Sequence, residues 1–345
     1  MLRRFLSIIF VSGAFLLISV GAFSADPYYQ GKTIRIIVGY QAGGGFDLYA
    51  RTISRFMSKY IPGNPNIIVE NMSGAGSLVS ANLIYKVAKP DALTIGHFNG
   101  GLFLSQVLNK PGIEFDARKF EYIGVPFRAD PVFVFTRASG IKSLRDWMES
   151  KTPIKLGGTG SGAHTPNNII RIVEATLGTP TQLVSGYKGI PDIRLACEAG
   201  ELAGSCWEWS MMKTQWSKAL NSGEVAVVLQ AVPKPIPGLI NVPLAIDLAK
   251  SSESKQLIEI CIHKNSILAR PFVLPPGTPK EQVQILRKAF IATLQDKEFV
   301  AEADKAQLEI DPVSGEDLHE MVQSLFDLDP KTVKKIDEML YPKPN

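Results

Sequence analysis

Thr33-Ile34-Arg35-Ile36-Ile37-Val38-Gly39-Tyr40 runs directly into Gln41-Ala42-Gly43-Gly44-Gly45-Phe46-Asp47. The first eight residues are rich in β-branched side chains and read as a buried strand. The glycines that follow read as a turn. Asp47 stands where a carboxylate caps a helix, and the spacing predicts a helix from Asp47 to about Tyr60 with Leu48, Phe56 and Tyr60 on its apolar face.

The same strand, small-residue loop and helix recur outward from this stretch. Asn66–Glu70, Leu93–Gly96, Val132–Thr136, Ile154–Leu156, Gln182–Val184 and Val225–Gln230 read as further strands. Helices are expected over Ser77–Lys89, Ser143–Glu149, Thr165–Leu177 and Pro191–Ala199. Helices are also expected over Lys280–Leu294, Lys297–Ala306, Gly315–Phe326 and Pro330–Leu340. Near-continuous apolar strands alternating with helices predict an α/β protein whose sheets are mainly parallel and helix-covered.

The chain has 345 residues, enough for two domains, each with its own core. Its 37 Lys and Arg against 33 Asp and Glu leave a formal charge of +4, too small and too evenly spread for a nucleic-acid platform. The first residues read as a leader. Arg3 and Arg4 precede the apolar run Phe5–Val20, and Ala22-Phe23-Ser24 places small residues before a cut at Ala25. An uncleaved anchor is the alternative reading. Residues 1–24 are thus expected to be a signal peptide and the mature chain to be exported. Cys197, Cys206 and Cys261 never stand two apart, so no CxxC pair can hold zinc. In an oxidising compartment Cys197 and Cys206 could bridge; three buried thiols are the other reading.

Three Gly-rich loops follow strands, over 42–46, 73–77 and 157–163. In an open parallel sheet such loops gather at the carboxyl ends of the strands, where ligands bind. The helices behind them aim free N–H groups and positive dipole ends at the same place, and glycine lets the backbone approach an anion. A carboxylate or phosphate is the natural ligand. The lysine of a nucleotide-binding GxxxxGK[ST] loop is missing, and Gly160-Ser161-Gly162 is not a GxSxG elbow. His97, His164, His263 and His319 show no paired metal-ligand spacing. No metal site, no cofactor and no catalytic constellation is read.

In this setting the chain resembles the periplasmic receptors of tripartite tricarboxylate transporters, the Bug/TctC family. The resemblance rests on Gly39 to Asp47 for a strand-following PxxPGGxxD loop and Glu70-Asn71-Met72-Ser73-Gly74-Ala75-Gly76-Ser77 for ENxxGAGG. It continues with Pro90 to Ile95 for PDGYTL, Gly158 to His164 for GxGSxxH, Val184 to Gly189 for VPYKG, and Leu274 to Pro279 for APAGTP. The motifs run in family order over nearly the whole mature chain.

The resemblance implies a two-lobed, hinged clamshell that closes on a small carboxylate and is not an enzyme. Lobe one would comprise residues 25–128 and 265–345, and lobe two residues 129–264. Crossings are expected near Phe127–Pro131 and His263–Leu268. Carried onto this chain, the family's ligand contacts fall in lobe one on Gly43, Gly44, Gly45, Phe46, Asp47, Ser73, Gly74, Ala75, His97, Phe98 and Asn99. Lobe two would offer Thr159, Gly160, Ser161, Gly162, Ala163, His164, Tyr187, Trp207 and Glu208. The chain departs from the family in lacking prolines before Gly43 and in carrying Phe46 and the Trp207-Glu208-Trp209 cluster, which alter pocket size and charge. The implied partners are a small organic (di)carboxylate, aromatic acids included, and membrane permease subunits; a monomer is expected. A secreted hydrolase or transferase using Ser161 and His164, and a carboxylate sensor for a signalling partner, are the competing readings.

Overall fold

The computed structural model describes residues 27–159 and 165–342. The leader expected over 1–24 and the loop Gly160–His164 lie outside the described residues. Two sheets organise the chain. The first has strands β1 (Thr33–Val38), β2 (Asn66–Asn71), β3 (Thr94–His97), β4 (Glu121–Val125), β10 (Phe272–Leu274) and β11 (Val313–Ser314) in the order β11-β4-β10-β3-β1-β2. The second has β5 (Pro131–Thr136), β6 (Ile154–Thr159), β7 (Thr181–Tyr187), β8 (Gly204–Glu208) and β9 (Val225–Gln230) in the order β7-β6-β8-β5-β9. The fold is the expected two-lobed α/β type.

The sheets are mixed rather than mainly parallel. β1 runs parallel to β2 and β3, and β6 runs parallel to β7 and β8. β10, however, inserts antiparallel between β3 and β4, and β5 antiparallel between β8 and β9. The reason is topological. A strand arriving from the other sheet begins at the edge where the parallel strands end, so Pro131 pairs with Glu208 and Phe272 with His97. Neither β10 nor β4 was read from the sequence, since three and five residues leave little periodicity to see.

The chain leaves the first sheet between Val125 and Pro131 and returns between Gln230 and Phe272. Its return includes a helical run from Ser252 to Ile267 whose middle, Glu259–Lys264, is π-helical. The two passages touch, the N–H of Ala129 donating to the carbonyl of Ser266 at 3.2 Å. The last helix, Pro330–Leu340, expected with lobe one, packs against the Thr165–Leu177 helix of the second sheet's layer. There Arg171 donates to the carbonyl of Leu340, and Lys335 pairs with Glu253 at 2.6 Å.

Helix α1 (Gly45–Met57) shows how local sequence seats these layers. Its buried face is Tyr49, Ala50, Ile53 and Met57, at helical spacing against the first sheet. Leu48, expected inward, is 42% exposed. The helix begins two residues earlier than the sequence suggested, and packing on the first sheet selects the face carrying Tyr49, Ile53 and Met57. All three cysteines are free and buried. Among the described residues no helix is long and apolar enough to cross a membrane.

Candidate functional site

Between the sheets lies a cleft of about 470 Å³. The carboxyl ends of parallel strands supply its walls: Gly44, Gly45 and Phe46 after β1, Asn99 after β3, Thr159 ending β6, Gly189 after β7 and Glu208 ending β8. Tyr40, Ala269 and Arg270 complete the first-sheet side; Pro166, Ile190, Pro191, Met211 and Gln215 complete the other. A recess of about 150 Å³ opens between Pro131, Pro166, Ile190, Trp207 and Met211, and Glu208 and Arg270 stand at it too.

Helix α1 points its first turn into this cleft. Gly44 is its N-cap residue and makes no side-chain cap. The N–H groups of the first turn have no partner inside the helix, so they and the positive end of the helix dipole are directed at whatever fills the cleft. Gly43 sits at φ +85°, a left-handed conformation that glycine adopts without strain. That conformation turns the chain sharply from β1 into α1.

Asp47 does not meet the cleft. It lies at the third helical position, not the cap, and is buried. Its carboxylate accepts the N–H of Gly43 at 2.9 Å, the guanidinium of Arg51 at 2.9 Å and the amide of Asn71 at 2.8 Å. Burial works to raise its pKa, yet these hydrogen bonds, Arg51 foremost, outweigh burial and hold the carboxyl below its ordinary value. The residue braces the glycine loop from behind.

His97 and Phe98 are likewise withdrawn, both fully buried. The His97 ring stacks on Phe272 at 4.0 Å and donates from Nδ1 to the carbonyl of Pro271 at 3.1 Å. Burial lowers its pKa to about 3, so the ring is neutral at physiological pH. It forms the floor beneath Phe46, 5.0 Å away between ring centres. Phe98 points into the aromatic core with Phe103 and Phe120. Alternation sends Phe98 to the face opposite His97, and Asn99, past the last paired residue of β3, is the one that lines the cleft.

Ser73, Gly74 and Ala75 lie in the loop after β2 and do not line the cleft; Gly74 faces Val79, and Ala75 sits at φ +46°. Tyr187 is half-buried at the end of β7 and packs with the second lobe's core instead. Trp207 is 3% exposed, in an edge-on contact with Trp216 at 4.8 Å, and lines the recess. Gly160, Ser161, Gly162, Ala163 and His164 lie outside the described residues. The structure thus brings Gly44, Gly45, Phe46, Asn99, Thr159, Trp207 and Glu208 together.

Arg270 is the residue the sequence reading missed. It stands just before β10, in Ile267-Leu268-Ala269-Arg270-Pro271-Phe272, and is the one charged residue of an apolar run. Its guanidinium lies over the rings of Phe127 at 4.6 Å, Phe46 at 5.2 Å and Tyr49 at 5.8 Å. A cation placed over ring faces is attracted by their quadrupoles, which helps to hold the guanidinium at the cleft. Nη2 lies 3.4 Å from both carboxylate oxygens of Glu208, across the cleft. A Cβ added to Gly45 would stand 3.7 Å from the same nitrogen, so the guanidinium and the start of α1 adjoin. The lone cation in an apolar run was the available signal.

Where the chain crosses between sheets, Asp130 receives the N–H of Ser210 at 3.3 Å. Burial, then the nearby carboxylates of Glu309 and Glu208, push its carboxyl up to about 7. Among the described residues no group of His, Cys, Asp and Glu could hold a metal ion.

No protein-family model matches the chain. A UPF0065 protein from Agrobacterium vitis is 26% identical over 196 residues, 55% of this chain and 55% of that protein. The chain thus spans about half the length of that curated relative. A TctC solute-binding protein from Polaromonas superposes with a TM-score of 0.67 at 18% identity, covering 89% of this chain and 99% of that one. MatC from Rhodopseudomonas palustris with bound malate gives 0.62 at 19% identity, covering 88% and 99%. A second R. palustris protein, with adipate, gives 0.64 at 18% identity, covering 90% and 97%. The fold of this chain is that of the TctC/Bug periplasmic solute-binding proteins.

Proposed function

We propose that the chain is a Bug/TctC-type periplasmic receptor that captures a small organic carboxylate in the interlobe cleft and delivers it to a membrane permease. One observation carries this reading. The uncapped start of α1 and the guanidinium of Arg270 converge on one side of a cleft whose opposite wall belongs to the other sheet.

A carboxylate seated there would accept N–H groups from the first turn of α1 and a charge-assisted hydrogen bond from Arg270. Its remaining atoms would touch Ile190 and Met211 of the second lobe. A ligand bound to both lobes stabilises the closed arrangement, so capture and hinge closure are one equilibrium. Malate and adipate bound to proteins of this fold support a carboxylate as the class. Lobe boundaries at residues 128/129 and 264/265, export after Ser24 and the permease partner belong to the same proposal.

The test is a thermal-shift screen of the chain from Ala25 against mono-, di- and tricarboxylates. A ligand at 100 times its Kd adds about 2.7 kcal/mol. A stabilising acid recovered unaltered after incubation supports the receptor. An acid or ester consumed during incubation, with turnover lost in Ser161→Ala, would replace it with a hydrolase.

A further inference from the structure

We infer that the cleft is built for a zwitterion: a ligand carrying an ammonium group beside its carboxylate, on an apolar body. The inference rests on the carboxylate-receptor reading and narrows it. Among the described residues lining the cleft, Arg270 is the only cation and Glu208 the only anion. Their side chains keep just 16% and 17% of their exposure. Charges withdrawn this far from water need partners, and removing one leaves the other costly.

The pairing they make with each other is loose. A tight charge-assisted N–H···O bond spans about 2.7–2.9 Å, whereas Arg270 and Glu208 stand 3.4 Å apart through one nitrogen shared by two oxygens. Arg270 therefore has further hydrogen-bonding capacity, and so does Glu208.

A dicarboxylate entering here would satisfy Arg270 and bring a like charge against Glu208. A simple monocarboxylate would draw Arg270 away and leave Glu208 without a partner. A zwitterion replaces both halves of the pair at once, its carboxylate on Arg270 and the start of α1, its ammonium on Glu208. The apolar recess beside this pair, walled by Ile190, Trp207 and Met211, receives the rest of the molecule.

Matched ligand pairs test this by isothermal titration calorimetry on the mature chain: leucine against 4-methylpentanoate, phenylalanine against 3-phenylpropionate, and each amino acid against its N-acetyl form. The amino acid of at least one pair should bind at least 10-fold tighter than both analogues lacking the charged ammonium, on the order of 1.4 kcal/mol. Glu208→Gln should bring that ratio close to one while the desamino acid still binds. Desamino acids or adipate binding as tightly as the zwitterions would overturn the inference and leave the carboxylate receptor standing. An unchanged ratio in Glu208→Gln would overturn the role of Glu208. Absence of binding by every carboxylate, charged ammonium or not, would overturn both readings together.

Discussion

Arg270 and Glu208 face each other across the interlobe cleft, Nη2 of the one 3.4 Å from both carboxylate oxygens of the other. One belongs to the segment entering β10 of the first sheet and the other ends β8 of the second, so the pair spans the cleft between the two sheets. Replacing Arg270 by Gln removes the cation and keeps a polar side chain of similar reach. Truncating one partner of a mostly buried charged interaction costs about 2–5 kcal/mol. The best carboxylate found for the parent should therefore bind at least about 30-fold more weakly to Arg270→Gln, measured by calorimetry. Equal affinity would remove Arg270 from the site.

Asp130, in the passage from β4 to β5, gives the protein a pH-dependent stability. Its carboxyl titrates near 7 in the folded protein against 3.8 ordinarily, because burial and then Glu309 and Glu208 oppose its charge. The folded state holds the proton more tightly than the unfolded chain, so stability falls as pH rises from about 4 to about 7 and stays lower above. Asp130→Asn should abolish this fall and be more stable than the parent at pH 8, by about 1 kcal/mol or more. Urea midpoints at pH 5 and pH 8 decide it, and parallel curves for the two proteins would refute it.

The opposite sign applies at Asp47. Its carboxyl is held below 3.8 by Arg51, the N–H of Gly43 and Asn71 despite burial. Its stabilisation is complete above the ordinary carboxylate range and is lost as pH falls through the depressed folded value. Asp47→Ala orphans the Gly43 N–H and frees the glycine loop, at about 1–3 kcal/mol near neutrality. The gap between variant and parent should narrow below pH 4. A gap constant with pH would mean that the charge is not what braces the loop.

Two glycines differ in what a side chain would meet. A Cβ at Gly100 would lie 1.7 Å from the carbonyl oxygen of Leu268, where the first lobe meets the returning chain. Gly100→Ala should cost about 3 kcal/mol or more. A Cβ at Gly45 meets only ordinary contact at 3.7 Å from Arg270, so Gly45→Ala should leave stability within about 0.5 kcal/mol. Comparable thermal midpoints for the two variants would contradict this reading of the two contacts.

The strands that were legible in the sequence were those with enough β-branched residues to show, such as Thr33–Val38 and Val225–Gln230, and the four C-terminal helices matched closely. β8 was not, because Gly204-Ser205-Cys206-Trp207-Glu208 has neither alternation nor β-branching and is a strand only by virtue of its neighbours β5 and β6. The glycine loops were found and their helix-start geometry was inferable. Which residues emerge into the cleft was not. His97 and Asn99 share strand parity, and only the end of β3 at His97 decides that the first is covered as floor and the second emerges as wall. Arg270 could not be assigned from spacing, since it is charge in an apolar run whose meaning comes from Phe46, Phe127 and Glu208, all distant in sequence.

A crystal structure of the mature chain with its best carboxylate ligand tests the central claim most directly. The account predicts a carboxylate within about 3.2 Å of an N–H in the first turn of α1 and of the guanidinium of Arg270, with the rest of the ligand against Ile190 and Met211. A ligand seated elsewhere, or one in the cleft whose carboxylate touches neither α1 nor Arg270, would contradict it.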